Sequence, residues 1–330
     1  MTEFQTTTTD PIDAVITWVD GSTASHRSTR ARYMAQAQAP LHENAVNPHR
    51  WHCSDEILYC LQSIANHAPW TRKIWIVVDR DTPDLSTLPE TLRAKIRFVY
   101  HSDIFRPFHH VLPTFNSLAI ESLIWRIEGL SERFMYFNDD VFLTAPLLPQ
   151  DVFHGDAPVL RGTWADHSHL ARNAALRSDP SKFNLFMQIN AAQLAGFDAV
   201  RMFGSAHVVH PLRRDVMERL FDRHFGAFMD NISHRFRDIS QFLPQGLHNH
   251  TCIAERSAVI QQTGDHLHLT SGHGIGRSPA ETRSLLEATT RSEIKFLCIN
   301  DLPQLELVIP EARAWLRRAV GGASCETLER

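Results

Sequence analysis

Short apolar runs ending on acidic or amide residues dominate the pattern of this chain. Residues 12–19 (IDAVITWV), 73–79 (KIWIVVD), 96–100 (IRFVY), 133–138 (RFMYFN) and 295–299 (KFLCI) are largely apolar on both alternating faces, which predicts strands covered on both sides. Between them, apolar residues recur at helical spacing. The spacing predicts helices over 24–39, 54–67 and 118–127, and again over 191–202, 213–228 and 312–320. Strand and helix alternating in this way predict an α/β fold with a mainly parallel central sheet flanked by helices, all five strands in it. The stretch 150–205 has poor periodicity and is expected to pack as a helical insertion over one edge. The division expected is a polar, Thr-rich, disordered tail over 1–11, one domain over 12–305, and a C-terminal helix and tail over 306–330.

The ends of the strands carry the candidate chemistry. Residues 133–143 read RFMYFNDDVFL, so Asp139 and Asp140 sit between two apolar segments. Two carboxylates placed there are costly unless something compensates them, and a hard divalent cation does so with oxygen ligands. The alternative is that they cap a turn. The run 295–299 ends in Asn300-Asp301, repeating Asn138-Asp139, so two strand ends could deliver ligands to one ion from opposite sides. The first strand stops at Asp20-Gly21, a carboxylate and a permissive backbone at the edge where open α/β sheets bind ligands. Thr114, Asn116 or Ser117 could cap the helix that follows and leave backbone N–H groups facing an anion, with Glu121 near its start. His154, His167 and His169 are spaced like a metal set but read better as a polar loop. Gly272 to Gly276 resembles a phosphate loop only loosely, and His248-Asn249-His250 matches a nuclease motif in letters alone.

Composition narrows the classes. With 330 residues, 43% hydrophobic and 21% charged, the chain has the makings of a large core. A net charge of -4 gives no broad basic field for nucleic acid. No apolar run approaches the roughly 20 residues of a membrane helix, and no leader pattern opens the sequence. Five scattered cysteines fit no zinc spacing and point to a reducing, cytoplasmic setting.

Taken together, the motifs resemble the Stealth family of sugar-1-phosphate transferases. These include bacterial capsule and exopolysaccharide phosphotransferases and the catalytic part of N-acetylglucosamine-1-phosphotransferase. The first block of resemblance is 12–21, the second 54–143, the third about 206–241 with His207, His210 and Arg237, and the fourth 295–301. The resemblance implies a GT-A/Rossmann-like fold. It also implies transfer of a sugar-1-phosphate from a nucleotide sugar, assumed to be uridine-linked, to a saccharide or polysaccharide hydroxyl. Mg²⁺ or Mn²⁺ would be held by Asp139, Asp140, Asn300 and Asp301. His207 would act as general base with His210 as rival, and Arg237, with Arg235 as second choice, would grip phosphate oxygens. Asp140 would serve catalysis as well as the metal. Asp13, Trp18, Asp20 and Gly21 resemble the nucleotide-side block, and Asn116, Ser117 and Glu121 complete the expected substrate contacts. The family role implies peripheral association with the inner face of the membrane. A GT-A glycosyltransferase releasing the nucleoside diphosphate is one alternative, and a non-catalytic carbohydrate-binding protein is another.

Overall fold

In the computed structural model, residues 10–47, 51, 54–262, 264–270 and 277–321 are described here; the Gly272–Gly276 block, Cys53 and Cys325 lie outside them. The chain opens with strands β1 (Ile12–Thr17), β2 (Ile74–Val78), β3 (Ile96–Tyr100), β4 (Arg133–Asn138) and β5 (Val141–Leu143). Next come β6 (Phe153–His154), β7 (Ala157–Leu160), β8 (Gly162–Ala165) and β9 (Met202–Ser205). β10 (His210–Arg213), β11 (Val259–Ile260), β12 (His266–Leu269) and β13 (Phe296–Ile299) complete the set.

The central sheet runs in the order β10-β4-β1-β2-β3, with β4, β1, β2 and β3 parallel and β10 antiparallel at one edge. The mixed α/β class with a mainly parallel sheet is thus as the pattern indicates. Strand alternation sorts the core into two layers. Ile12, Ala14 and Ile16 of β1, with Met135 and Phe137 of β4, face one side; Val15, Phe134 and Tyr136 face the other. The first layer is covered by the helices Glu56–His67, Leu302–Val308 and Ala312–Ala319, the second by Arg214–Arg223, Phe225–Ser233 and Pro244–Ala254. Phe134 and Phe137 are fully buried, and burying one such side chain contributes about 1.5–3 kcal/mol.

Five expectations need correction. The helix expected over 118–127 is the short helix Ser117–Glu121 followed by a 3-10 turn at Ile124–Arg126, and the one expected over 191–202 lies at Phe183–Leu194. The strand at the end of the chain, β13, is not in the central sheet. It pairs parallel with β12 and antiparallel with β5 in a separate three-stranded sheet. Its residues nevertheless join the same core layer as Met135 and Phe137, so the two sheets share one interior. The 150–205 stretch is not simply helical. It supplies β6 to β9 as well as the helix Phe183–Leu194, and its strands are only two to four residues long, too short to show a period. The helix expected over 213–228 is two helices, Arg214–Arg223 and Phe225–Ser233, separated at His224. His167 and His169 stand 6.3 Å apart by ring centroid, and no histidine of this stretch joins a metal-type cluster among the described residues.

A buried ion pair ties the inserted strands to the second sheet. The Arg161 guanidinium, just after β7, donates to both oxygens of Asp265 at 2.7–3.0 Å and lies over the Phe296 ring at 4.2 Å. Burial pushes the Asp265 carboxyl up, but bonds from His266 and Arg161 outweigh it and hold the group at about 2. The pair's contribution to stability is therefore complete above about pH 4, the ordinary carboxylate value, and is lost as pH falls through about 2. Asp265→Ala leaves the guanidinium buried without its carboxylate, bonded only to the Val159 and Asp151 carbonyls, and urea unfolding at neutral pH should show a loss of about 3–5 kcal/mol. A variant as stable as the wild type would show that the pair is idle.

Candidate active site

The site is built where the central sheet hands the chain to the second one. β4 ends at Asn138, Asp139 and Asp140 form the turn, and β5 begins at Val141 in the other sheet. The Ile299 N–H donates to the Asp140 carbonyl at 3.0 Å, which brings the end of β13 against this turn. Asn300 then donates its amide to Asp140 Oδ2 at 2.7 Å. The two Asn-Asp strand ends thus lie against each other.

His207 arrives from the loop between β9 and β10. Its Nε2 lies 4.0 Å from Asp140 Oδ1 and 3.4 Å from Asn138 Nδ2. Burial lowers its pKa; Asp140 raises it, and His268 and Arg237 lower it further, leaving a net downward shift. The ring is neutral near pH 7. The Tyr136 hydroxyl donates to Asn138 Oδ1 at 2.9 Å and lies 3.0 Å from Thr17 Oγ1. Since a phenol has one proton, Tyr136 donates to Asn138 and accepts from Thr17. The Asn138 amide is thereby turned so that its NH₂ faces His207. Removing that hydroxyl in Tyr136→Phe should cost about 1 kcal/mol in urea unfolding, one hydrogen bond's worth, and an unchanged stability would show the bond to be idle.

Arg237 donates to Ser117 Oγ at 2.5 Å and feels the charge of Glu121, beside the buried Tyr136 phenol. Ser117, Glu121 and Arg237 thus line up behind Asn138 and His207. Asp139 is half-buried, and its carboxyl stands well above the usual range because of burial, then of Asp140 and Glu56. Glu56, the first residue of its helix, is raised by burial too. Three carboxylates in one neighbourhood, with Asp140 Oδ1 buried and lacking a hydrogen-bond partner, are what a cation would relieve.

Several expected residues take other roles. Asp13 is at the opposite, amino edge of β1, four residues from Thr17 or about 13 Å along the strand. It is fully buried and accepts from Arg72, Trp75, Lys73 and Ser131, so no acceptor capacity is left for a substrate. Arg235 spends its guanidinium on the Val111 and Pro113 carbonyls and on the Tyr33 ring. Asn116 caps the short helix Ser117–Glu121 and donates to the His234 carbonyl and Gln241, buried throughout. His210 is buried in β10 against Tyr136, and burial drops its pKa to about 3, so it cannot rival His207. Gly21 is required for contact rather than chemistry: a Cβ there would lie 2.5 Å from the Cβ of Trp51. Trp18 is buried, and with Asp20, His26, Asp79, Asp81 and Phe115 it lines a small pocket at the carboxyl ends of β1 and β2. Asp301 adopts a left-handed backbone, φ 61°, and starts the helix Leu302–Val308.

Two site residues escaped the sequence reading. His268 in β12 has its ring 5.4 Å from that of His207 and bonds Asn300 Oδ1. Cys298 lies in β13, buried, and its Sγ is within 4.8 Å of donor atoms on both Asp140 and His207. The alternation His-Leu-His-Leu over 266–269 was the available signal for the first; the second was hidden inside an apolar strand. His248 and His250 accept from the backbone N–H groups of Arg213 and Phe203 and are structural.

The fold and this junction define a mixed α/β protein with acidic, imidazole and guanidinium groups gathered at the carboxyl edge of a mainly parallel sheet. Residues 10–38 match Stealth protein conserved region 1 and residues 50–159 match conserved region 2. The chain carries Stealth conserved regions 1 and 2, which contain two of the four blocks of resemblance, 12–21 and 54–143. An exopolysaccharide phosphotransferase of Streptomyces coelicolor is 32% identical over 320 residues, covering 94% of this chain and 50% of that protein. A capsular polysaccharide phosphotransferase of Actinobacillus pleuropneumoniae is 37% identical over 145 residues, covering 44% of this chain and 39% of that protein. The chain spans about half the length of the curated relatives it matches. Among solved structures, the galactosyltransferase LgtC aligns over 92% of this chain and 96% of that chain, with a TM-score of 0.44 and 12% identity.

Proposed function

We propose that this chain transfers a sugar-1-phosphate from a nucleotide sugar to a saccharide hydroxyl, within exopolysaccharide or capsule assembly. The observation that carries the reading is the convergence of His207, Asp140 and Asn300 at one sheet junction, with Arg237 behind them. In this reading the acceptor hydroxyl attacks the sugar-linked phosphorus. The new O–P bond forms as the bond to the nucleoside monophosphate breaks, and the hydroxyl proton passes to His207 Nε2. Arg237 follows charge onto the phosphoryl oxygens, and Ser117 and Glu121 hold its fork in place. Asp139 and Asp140 fit a hard cation such as Mg²⁺ or Mn²⁺, with Asn300 orienting Asp140. When bound, such an ion neutralises the donor diphosphate.

The nucleoside end of the donor belongs in the pocket of Trp18, Asp20, His26, Asp79 and Asp81. Carboxylates there suit ribose hydroxyls and repel phosphate, which sets the direction in which the donor lies. Uridine is our assignment for the base. No described helix is long and apolar enough to cross a membrane. We place the enzyme in the cytoplasm, meeting its acceptor at the inner face of the membrane as a peripheral protein.

Incubation with a panel of nucleotide sugars and saccharide acceptors, reading the nucleotide released, tests the proposal. Nucleoside monophosphate with a new phosphodiester supports it. Nucleoside diphosphate would make the protein a glycosyltransferase, and no product with any donor would leave a binding protein.

A further inference from the structure

The donor set at the sheet junction is wider than a hard cation uses. A carboxylate oxygen of Asp140, a ring nitrogen of His207 and the Cys298 Sγ all lie within 4.8 Å of one another. Among the described residues this is the one group of three or more His, Cys, Asp or Glu so arranged. A tetrahedral zinc ion has bonds of about 2.0–2.3 Å, which puts its ligand atoms about 3.3–3.8 Å apart. Closing the set therefore takes shifts of about 1 Å. The parts that would move are suited to it. Cys298 is fixed, buried in β13 between Leu297 and Ile299. Asp140 is in a two-residue turn with its Oδ1 unbonded and its Oδ2 held by Asn300, and His207 is in a loop with its side chain 39% exposed, so these two side chains are the ones that would shift toward the sulfur.

We propose that Asp140, His207 and Cys298 form an inhibitory site for zinc and similar borderline-soft divalent ions. Thiolate and imidazole favour such ions, and at any shared site zinc binds far more tightly than magnesium. On binding, the Cys298 S–H bond breaks, its proton leaves to solvent, and a metal–sulfur bond forms. His207 exchanges its contact with Asn138 for a bond to the metal through its lone pair. A water fills the fourth position. The base of the proposed transfer is then occupied, and Asp140 is withdrawn from any hard cation, so the two metals exclude each other. The inhibition rests on the proposed transfer, but the site itself rests only on the three donor atoms.

The two can be tested apart. Titrating the metal-free protein with Co²⁺ should produce one equivalent of a tetrahedral spectrum with a thiolate-to-cobalt charge-transfer band, discharged by Zn²⁺. The band should vanish in Cys298→Ser. A spectrum without the band, or a band that survives in Cys298→Ser, overturns the site. Should that variant fold poorly, X-ray absorption of the zinc-loaded wild type decides: one sulfur at about 2.3 Å supports the site, and a shell of nitrogen and oxygen alone overturns it. In the transfer assay, stoichiometric Zn²⁺ should lower Mg²⁺-supported turnover at least tenfold, with recovery on chelation and at least tenfold less sensitivity in Cys298→Ser. Full turnover in the presence of bound zinc overturns the inhibition while leaving the site intact. If no transfer is seen at all, the cobalt and absorption results still decide the site.

Discussion

His207→Ala lowers kcat about 10²–10⁴-fold while the KM for the nucleotide sugar stays within about threefold of the wild type. The split follows from the geometry. His207 stands beside Asp140 and Asn138 at the junction and is not among the residues lining the Trp18 pocket, so in the proposed reading it does not help hold the nucleoside. Its proton moves only during chemistry. Arg237→Lys should fail by a comparable factor, because an ammonium cannot hold Ser117 and a phosphoryl oxygen with one planar fork. The measurement is steady-state kinetics on folded variants. Near wild-type kcat in His207→Ala would remove the base. Because His210 is buried in the sheet, His210→Gln would then be expected to cost stability rather than turnover.

Asp140→Asn should abolish turnover on the order of 10³-fold without lowering the melting temperature. The activity loss comes from removing the charge that a cation needs at the donor diphosphate, worth several kcal/mol. The stability expectation runs the other way. Asp140 raises the carboxyl of its neighbour Asp139 and of Glu56, so neutralising it relieves a repulsion that the folded state bears. The amide keeps an oxygen for Asn300 Nδ2, so the link to β13 survives. Calorimetry alongside kinetics checks both halves. A variant that loses both activity and several degrees of stability would mean that Asp140 holds the turn together and that its chemistry is secondary.

What the sequence revealed, and what it withheld, follows from the range of the forces involved. The strands β1, β2 and β4 were legible because burial on both faces writes itself as consecutive apolar residues, with no partner needed to read it. The turn at Asp139-Asp140 was legible for the complementary reason, since charge between two such segments is unexplained locally. Sheet membership was not. β13 has the same apolar signature as β2, and only its pairing with β5 and β12 assigns it to the second sheet. Asp13 shows the other limit. Its place in an acidic-ended block looked like chemistry, yet Arg72, Trp75 and Ser131 make it a structural anchor, and those partners come from distant stretches of chain. His268 and Cys298 were missed because a strand residue's relation to a site depends on which strand lies next to it.

The distance along the chain between Asp140 and Asn300 also sets the order in which this junction is assembled. The turn comes first, His207 and Arg237 follow, and Asn300, which bonds Asp140, lies 160 residues further along than that partner. A chain that has reached only β10 carries Asp139 and Asp140 with β13 not yet beside them, and the core layer under the helices Leu302–Val308 and Ala312–Ala319 is still uncovered. The junction is thus closed only when β13 docks against β5, and a chain that stops before β13 lacks both Cys298 and Asn300 beside the Asp140 turn.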